Sequence, residues 1–461
     1  MNSPGQPPDK KALDTQRTQR MLEAPALPLL LTLASPNALA FIVQACVSMT
    51  EVWYVGQLGT IALAAMALVF PMLMLMQMLA NGAFGGAVTG AIARALGSGE
   101  RDMAERLIWH AIMIALIAGL SFLILMLLFV DPLLALMSTD TQVLAESKRY
   151  LIILFTGCPL LWTMALLISA YRGMGNMRFP AFLMVAGAFI QIPLSGALVL
   201  GWFGIERMGV SGAAVSIVTI AALSTLVLVL GLRRKKSLLQ LKLSQSAPRQ
   251  ALFNQILRIG LPSALSPILT IGTISGLNIL VGSFGVAALA GYGVASRIEF
   301  LVIPLVFGLG VAMNALVGTN LGAGQVKRAV HIGWVGSAAA SVLAGVGGLL
   351  LAFFPEVWAG LFTDDPATLR SARGYLVFAG PFFAFQGLGL SLYFASQGAG
   401  AMTWPLIATF IRFLVTIGAG AVLLYSFDVS LNSLYLVSGL AMLAYGIVTA
   451  AALKLGMWEK A

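Results

Sequence analysis

The sequence predicts an all-α integral membrane protein with twelve transmembrane helices in two pseudo-symmetric six-helix lobes. Three observations predict it. The 461 residues are 59% hydrophobic and only 10% charged, with a mean hydropathy of +0.94. Soluble domains carry about 25% charged residues, and a chain so poor in charge cannot cover a water-facing surface. Apolar windows long enough to cross a bilayer recur along the chain, and the second half repeats the first at a near-constant offset.

The elements follow in order. Residues 1–25 begin with the polar, Pro- and Gln-rich "MNSPGQPPDKKALDTQRTQR" and read as a disordered cytosolic tail, with no signal-peptide pattern. An N-terminal lobe over 26–231 holds apolar windows at 28–54, 61–92, 107–130, 148–170, 179–201 and 209–231. A basic cytosolic linker over 232–253 contains Arg233, Arg234, Lys235 and Lys236. A C-terminal lobe over 254–455 holds windows at 255–281, 286–318, 330–353, 374–394, 403–424 and 432–453, and residues 456–461 form a cytosolic tail. The runs are continuous, which argues against an alternating β-barrel.

Placing the N-terminus in the cytosol puts 20 of the 27 Lys and Arg residues on that side and five on the other. Both termini are therefore expected to be cytosolic. The net charge of +10 belongs to loops rather than to a nucleic-acid face. Cys46 and Cys158 lie apart in apolar runs and suggest neither a disulfide framework nor a metal site. His110 and His331 read as helix-end or loop residues.

The repeat is explicit. "VGQLGTIALAA" from Val55 returns as "VGSFGVAALAG" from Val281, and Pro36 returns as Pro262, both at an offset of 226. "LGSGE" at 96 returns as "LGAGQ" at 321. Six spans bring the chain back to the same side, so the repeats are parallel and enclose a central cleft. Nothing resembles a channel filter, and the windows hold no metal set or nucleophile–base pair of an enzyme.

Several motifs together are specific: "TEVWYVGQLGT", "ARALGSGERDMAE", "RGMGNMRFP", "GVSGAA", "ASRIE" and "LVGTNLGAGQVKRA". On these the chain resembles the multidrug and toxic compound extrusion (MATE) transporters, of the bacterial multidrug-efflux and DNA-damage-inducible-like branch, over residues 25 to 455. The resemblance implies a secondary antiporter, not an enzyme, in the bacterial cytoplasmic (inner) membrane. It would export amphipathic or cationic organic compounds in exchange for protons or Na⁺. It implies no cofactor, small drugs and membrane lipids as partners, no nucleic acid, and a monomer. The runner-up function is a flippase for lipids or lipid-linked sugars, favoured by Arg297 and Arg412 in apolar windows.

Two membrane carboxylates are the ion-coupling candidates, Glu51 and Glu299. The resemblance places an acid, usually Asp, five residues before Gly56, and Glu51 stands there. Asn37, Gln44, Ser48 and Glu51 are also spaced seven, four and three, one polar stripe down a helix. Such a stripe faces protein or a wet cavity, because facing lipid is costly. Tyr292, Ser296 and Glu299 share a face by the same spacing. Further cavity candidates are Gln77 and Asn81 on the second window, Gln191 on the fifth, Thr270 and Thr273 on the seventh, and Phe382, Gln386 and Tyr393 on the tenth. Thr270 and Ser195 stand where many relatives have acids, so protons are favoured over Na⁺, with Glu51 as the alternative Na⁺ ligand. No other metal site is expected.

Overall fold

Backbone withdrawn from water must satisfy its own hydrogen bonds, and a helix does so within one segment. The computed structural model describes residues 10–135, 137–234, 237–427 and 429–459; the side chains of 10–16 and 299–301 are likewise outside the description. Lys235, Lys236 and the Glu299 side chain therefore lie outside the described residues.

Among the described residues there are helices and no strand. The first half runs α1 (Lys10–Glu23), α2 (Ala26–Gly56), α3 (Thr60–Gln77), a π-helical segment (Met78–Phe84), α4 (Gly85–Gly97), α5 (Arg101–Ala135), α6 (Thr141–Thr156), α7 (Cys158–Gly173), α8 (Arg178–Leu200) and α9 (Val210–Arg233). The second runs α10 (Gln250–Gly282), α11 (Val286–Ser296), α12 (Glu299–Gly322), α13 (Val326–Phe353), α14 (Pro355–Ala359), α15 (Pro366–Ala379) and α16 (Phe383–Ala399). It ends with α17 (Thr403–Phe413), a π-helical segment (Leu414–Ala419), α18 (Gly420–Ser426) and α19 (Leu431–Lys454). Eleven described helices are long and apolar enough to cross a membrane, or twelve if α6 and α7, bent by 51°, form one span.

Among the described residues at least five apolar windows depart from a straight α-helix, the tenth at Gly380–Phe382 and the eleventh at Leu414–Ala419 among them. The fourth bends at Gly157, just before Pro159, which has no N–H to give the helix. The second widens into the π-helical segment, where Asn81 Nδ2 donates to the Gln77 carbonyl at 3.3 Å and draws on an acceptor near the widened turn. The eighth breaks between Ser296 and Glu299, so Tyr292 and Ser296 belong to a different helix from Glu299. There the turn tightens, with Ile298 N–H donating to Ala295 O at 3.3 Å.

The chain packs as two compact units, one of the described residues up to Ala24 with Leu39–Arg258, the other of Pro25–Ala38 with Ile259 onward. Glycines let helices close up within each. A Cβ on Gly119 of α5 would lie 2.5 Å from Pro159 Cα of α7, and one on Gly387 of α16 2.6 Å from Ala340 O of α13. Close backbone approach of this kind is what holds helices together where lipid removes the hydrophobic drive.

In the first unit the linker after α9 is tied to the start of α5. Glu105, 1% exposed, accepts from Gln240 N–H at 3.0 Å and Lys242 Nζ at 3.2 Å. Trp109 Nε1 donates to Lys242 O at 2.9 Å. His110 is not at a helix end: it is fully buried within α5. Its Nδ1 meets Arg106 O at 2.7 Å and its Nε2 accepts from Arg249 N–H at 2.9 Å. One ring nitrogen must donate and the other accept, so the neutral ring with its proton on Nδ1 is the form that fits.

Candidate functional site

The first unit holds a polar chamber of buried side chains around Glu51. Glu51 lies five residues before the end of α2 and is 5% exposed. Gln191 Nε2 of α8 donates to its Oε1 at 2.9 Å. Ser216 Oγ of α9 lies 3.4 Å from the same oxygen, but its single proton has a shorter bond to Ala213 O at 2.9 Å. Gln191 is therefore the firm partner. Ser195, one turn after Gln191 on the same face of α8, lies beside the carboxyl without completing a well-formed hydrogen bond. Among the described residues no Lys or Arg pairs with Glu51.

Tyr150 of α6 adds a feature not read from the sequence. Its ring is fully buried, its hydroxyl has no hydrogen-bond partner, and it lies within electrostatic range of Glu51. Ser216 is a second residue the sequence reading missed. The repeat offered a signal for Tyr150: "RYL" at 149 returns as "GYL" at 374, with Tyr375 in the matching place.

The rest of the α2 stripe is divided. Gln44 is half-buried and Ser48 exposed. Asn37 packs with the second unit, fully buried, with neither amide atom hydrogen-bonded. Gln77 is exposed and Asn81, within the π-helical segment, half-buried.

In the second unit Tyr393 Oη donates to Ser263 O at 3.1 Å and receives Gln397 Nε2 at 3.3 Å, while Gln397 Oε1 accepts from Asn314 Nδ2 at 3.3 Å. Gln386, two turns before Tyr393 on α16, accepts from Arg412 Nη1 at 3.1 Å. Arg412 also lies over the Tyr445 ring, 5.7 Å from its centroid. Thr273 turns back to Leu269 O at 2.7 Å, and Thr270 is half-buried. Tyr292 packs in an aromatic cluster with Tyr375 at 5.1 Å and Tyr435 at 6.3 Å. Ser296 Oγ bonds Gly293 O at 3.4 Å, and Phe382 is half-buried. The Arg297 guanidinium lies 5.3 Å from the Phe362 ring centroid. Among the described residues no group of three or more His, Cys, Asp or Glu is placed to hold a metal ion.

A buried carboxyl bonded to neutral donors, inside a bundle of membrane-length helices, is a transporter's feature. The MatE family model matches residues 36–196 and again 262–422, two segments separated by the same 226-residue offset as the repeat. The chain belongs to the MatE family, and it is a membrane transporter rather than an enzyme. It is 27% identical to a probable multidrug resistance protein NorM of Thermotoga maritima over 387 residues, 83% of this chain and 82% of that one. It is 26% identical to an FAD transporter of Shewanella oneidensis, covering 82% of each chain. It is 28% identical to the multidrug resistance protein PmpM of Pseudomonas aeruginosa, again over 82% of each. A MOP superfamily transporter from Pyrococcus furiosus superposes with a TM-score of 0.88 at 22% identity, over 95% of this chain and 97% of that one. An outward-facing multidrug resistance MATE family transporter superposes with a TM-score of 0.88 at 23% identity and the same coverage. These likenesses carry the fold.

Proposed function

We propose that this secondary transporter exports small amphipathic or cationic organic compounds in exchange for protons, with Glu51 as the coupling group. The observation that carries the proposal is the Glu51 carboxyl, buried and bonded to Gln191 at 2.9 Å. As a carboxylate it only accepts hydrogen bonds, which the Gln191 amide supplies. Once protonated it must also donate. The two protonation states thus make different demands on the same neutral neighbours, Gln191 and Ser195. A difference of that kind biases one conformation over another, which a ligand with equal contacts in both cannot do.

Protons fit this chamber better than Na⁺. A hard cation stripped of water needs several oxygen ligands, and here one formal charge is joined only by neutral amide and hydroxyl oxygens. The proposal extends to twelve spans in two pseudo-symmetric lobes, a cytosolic linker over 232–253, both termini in the cytosol, an inner-membrane location and a monomer. The repeated family match and the distribution of basic residues support it. Glu299 is the proposed second ion-coupling residue. Asn37, Gln44, Ser48, Gln77, Asn81, Gln191, Thr270, Thr273, Tyr292, Ser296, Phe382, Gln386 and Tyr393 are the proposed substrate-contacting set.

The test is transport in liposomes with the pH and Na⁺ gradients imposed separately. Export of an organic cation driven by pH at zero Na⁺ is the expected result. Transport that needs Na⁺ and ignores pH overturns proton coupling.

A further inference from the structure

We propose that Arg412 in the second unit is a recognition site for an oxyanion, a carboxylate or phosphate carried by an amphipathic molecule. The inference rests on the reading of the chain as an exporter and extends its cargo beyond cations.

Arg412 sits in α17, within a span of mean hydropathy 2.1. A charge in a membrane helix costs about 3 kcal/mol even on the milder insertion scales, and such residues face the bundle interior or water. The neighbours of Arg412 fix it without neutralising it. Gln386 Oε1 accepts one of its five N–H donors at 3.1 Å, and the ring of Tyr445, itself 3% exposed, lies under the guanidinium. Among the described residues no carboxylate forms an ion pair with it. Arg412 is half-buried, so its remaining donors are not sealed away.

The surroundings hold a small void and an irregular backbone turn. Gln386 borders a small void of about 20 Å³, otherwise lined by apolar groups such as Val302, Val306 and Phe383. That is the volume of one water and marks imperfect packing at the position held by Arg412's partner. The π-helical segment Leu414–Ala419 starts two residues after Arg412, and such widened turns recur at functional sites. A planar guanidinium with free donors matches a two-oxygen acceptor.

The probe pair is flavin mononucleotide and riboflavin, which share a ring system and differ by one phosphate. Binding of each to the purified full-length protein is measured in detergent by fluorescence quenching, with tetraphenylphosphonium as the cationic control. A short-chain phosphatidylglycerol titration distinguishes a lipid phosphate from a soluble one. Wild type is expected to bind flavin mononucleotide, or the phosphatidylglycerol, about tenfold more tightly than Arg412→Gln does, the size of one charge-assisted contact. Riboflavin and tetraphenylphosphonium should be unchanged, and Arg412→Lys should keep only part of the preference, because it retains the charge and loses the planar fork. Equal binding of flavin mononucleotide and riboflavin by wild type, with phosphatidylglycerol indifferent to Arg412→Gln, overturns the proposal. So does equal loss of anionic and cationic probes. Failure of wild type to bind tetraphenylphosphonium counts against cation export alone, because the phosphate comparison is read separately.

Discussion

The two units grew from one repeated sequence and hold opposite chemistry. In the first, Glu51 is a buried acid met by Gln191 and Ser216. In the second, the 226-residue offset places Leu277 opposite Glu51, and Leu277 is 4% exposed. The charge there is instead Arg412, held by Gln386 and Tyr445. A repeat fixes helices and their packing, while single substitutions decide which copy carries the buried acid and which the half-buried cation. Scaffold features are shared: Asp140 caps α6 by accepting from Gln142 and Val143 N–H, and Asp365 caps α15 by accepting from Thr368 N–H.

The comparison breaks most severely if an acid is moved to the wrong copy. Leu277→Glu buries a carboxyl where no donors were built for it. It should lower stability by about 3–5 kcal/mol, or prevent folding, in a thermal assay by detergent size exclusion. Tolerance of Leu277→Glu without loss means the second unit already offers an acid-binding chamber, and the asymmetry is wrong.

Gln191→Leu tests the chamber itself. It removes the one firm donor to Glu51 and should cut pH-driven export about tenfold, from the ~1–3 kcal/mol cost of an unsatisfied buried group. Initial rates in proteoliposomes measure it. Export at the wild-type rate would show that the 2.9 Å bond has no part in coupling.

The linker gives a smaller effect, confined to the first unit. Glu105→Gln keeps the shape but loses the charge that receives Lys242, and His110→Ala removes the acceptor for Arg249 N–H. Each should destabilise the docked segment by about 1–2 kcal/mol, read as faster amide exchange at Gln240 and Arg249. Unchanged exchange would mean the linker is held from elsewhere.

The smallest effect belongs to the cap of α15. Hydrogen bonds from the Thr368 hydroxyl and amide hold the Asp365 carboxyl below its usual value. The carboxylate is therefore favoured by the folded state. Its contribution is complete above the ordinary carboxylate value of about 4 and fades as pH falls through the depressed native one. Amide exchange at Thr368 should accelerate only in that acid window, and Asp365→Asn should flatten the response.

Much of this was legible in the sequence, for physical reasons. Apolar windows predict helices because lipid leaves the backbone no other partner. Glu51 stood out because an acid is costly in such a window and Gln191 because the family resemblance has an amide in its place, and the structure brings them together at 2.9 Å. Ser216 and Tyr150 did not, because both residue types sit unremarked in membrane helices and only tertiary packing brings Ser216 to the carboxyl and buries the Tyr150 hydroxyl unpaired. Gln77 and Asn81 were paired by α-helical spacing, and Asn81 does reach back to the Gln77 carbonyl, from a π-helical segment that the spacing did not predict. The face drawn through Tyr292, Ser296 and Glu299 assumed one helix where the chain has two.

The most direct measurement of the central claim is proton release on substrate binding. Purified protein in weakly buffered detergent is mixed with tetraphenylphosphonium and followed with a pH dye. Wild type should release protons near neutral pH, while Glu51→Gln should bind the cation and release none. Equal release by the two proteins would place the coupling proton elsewhere and contradict the account.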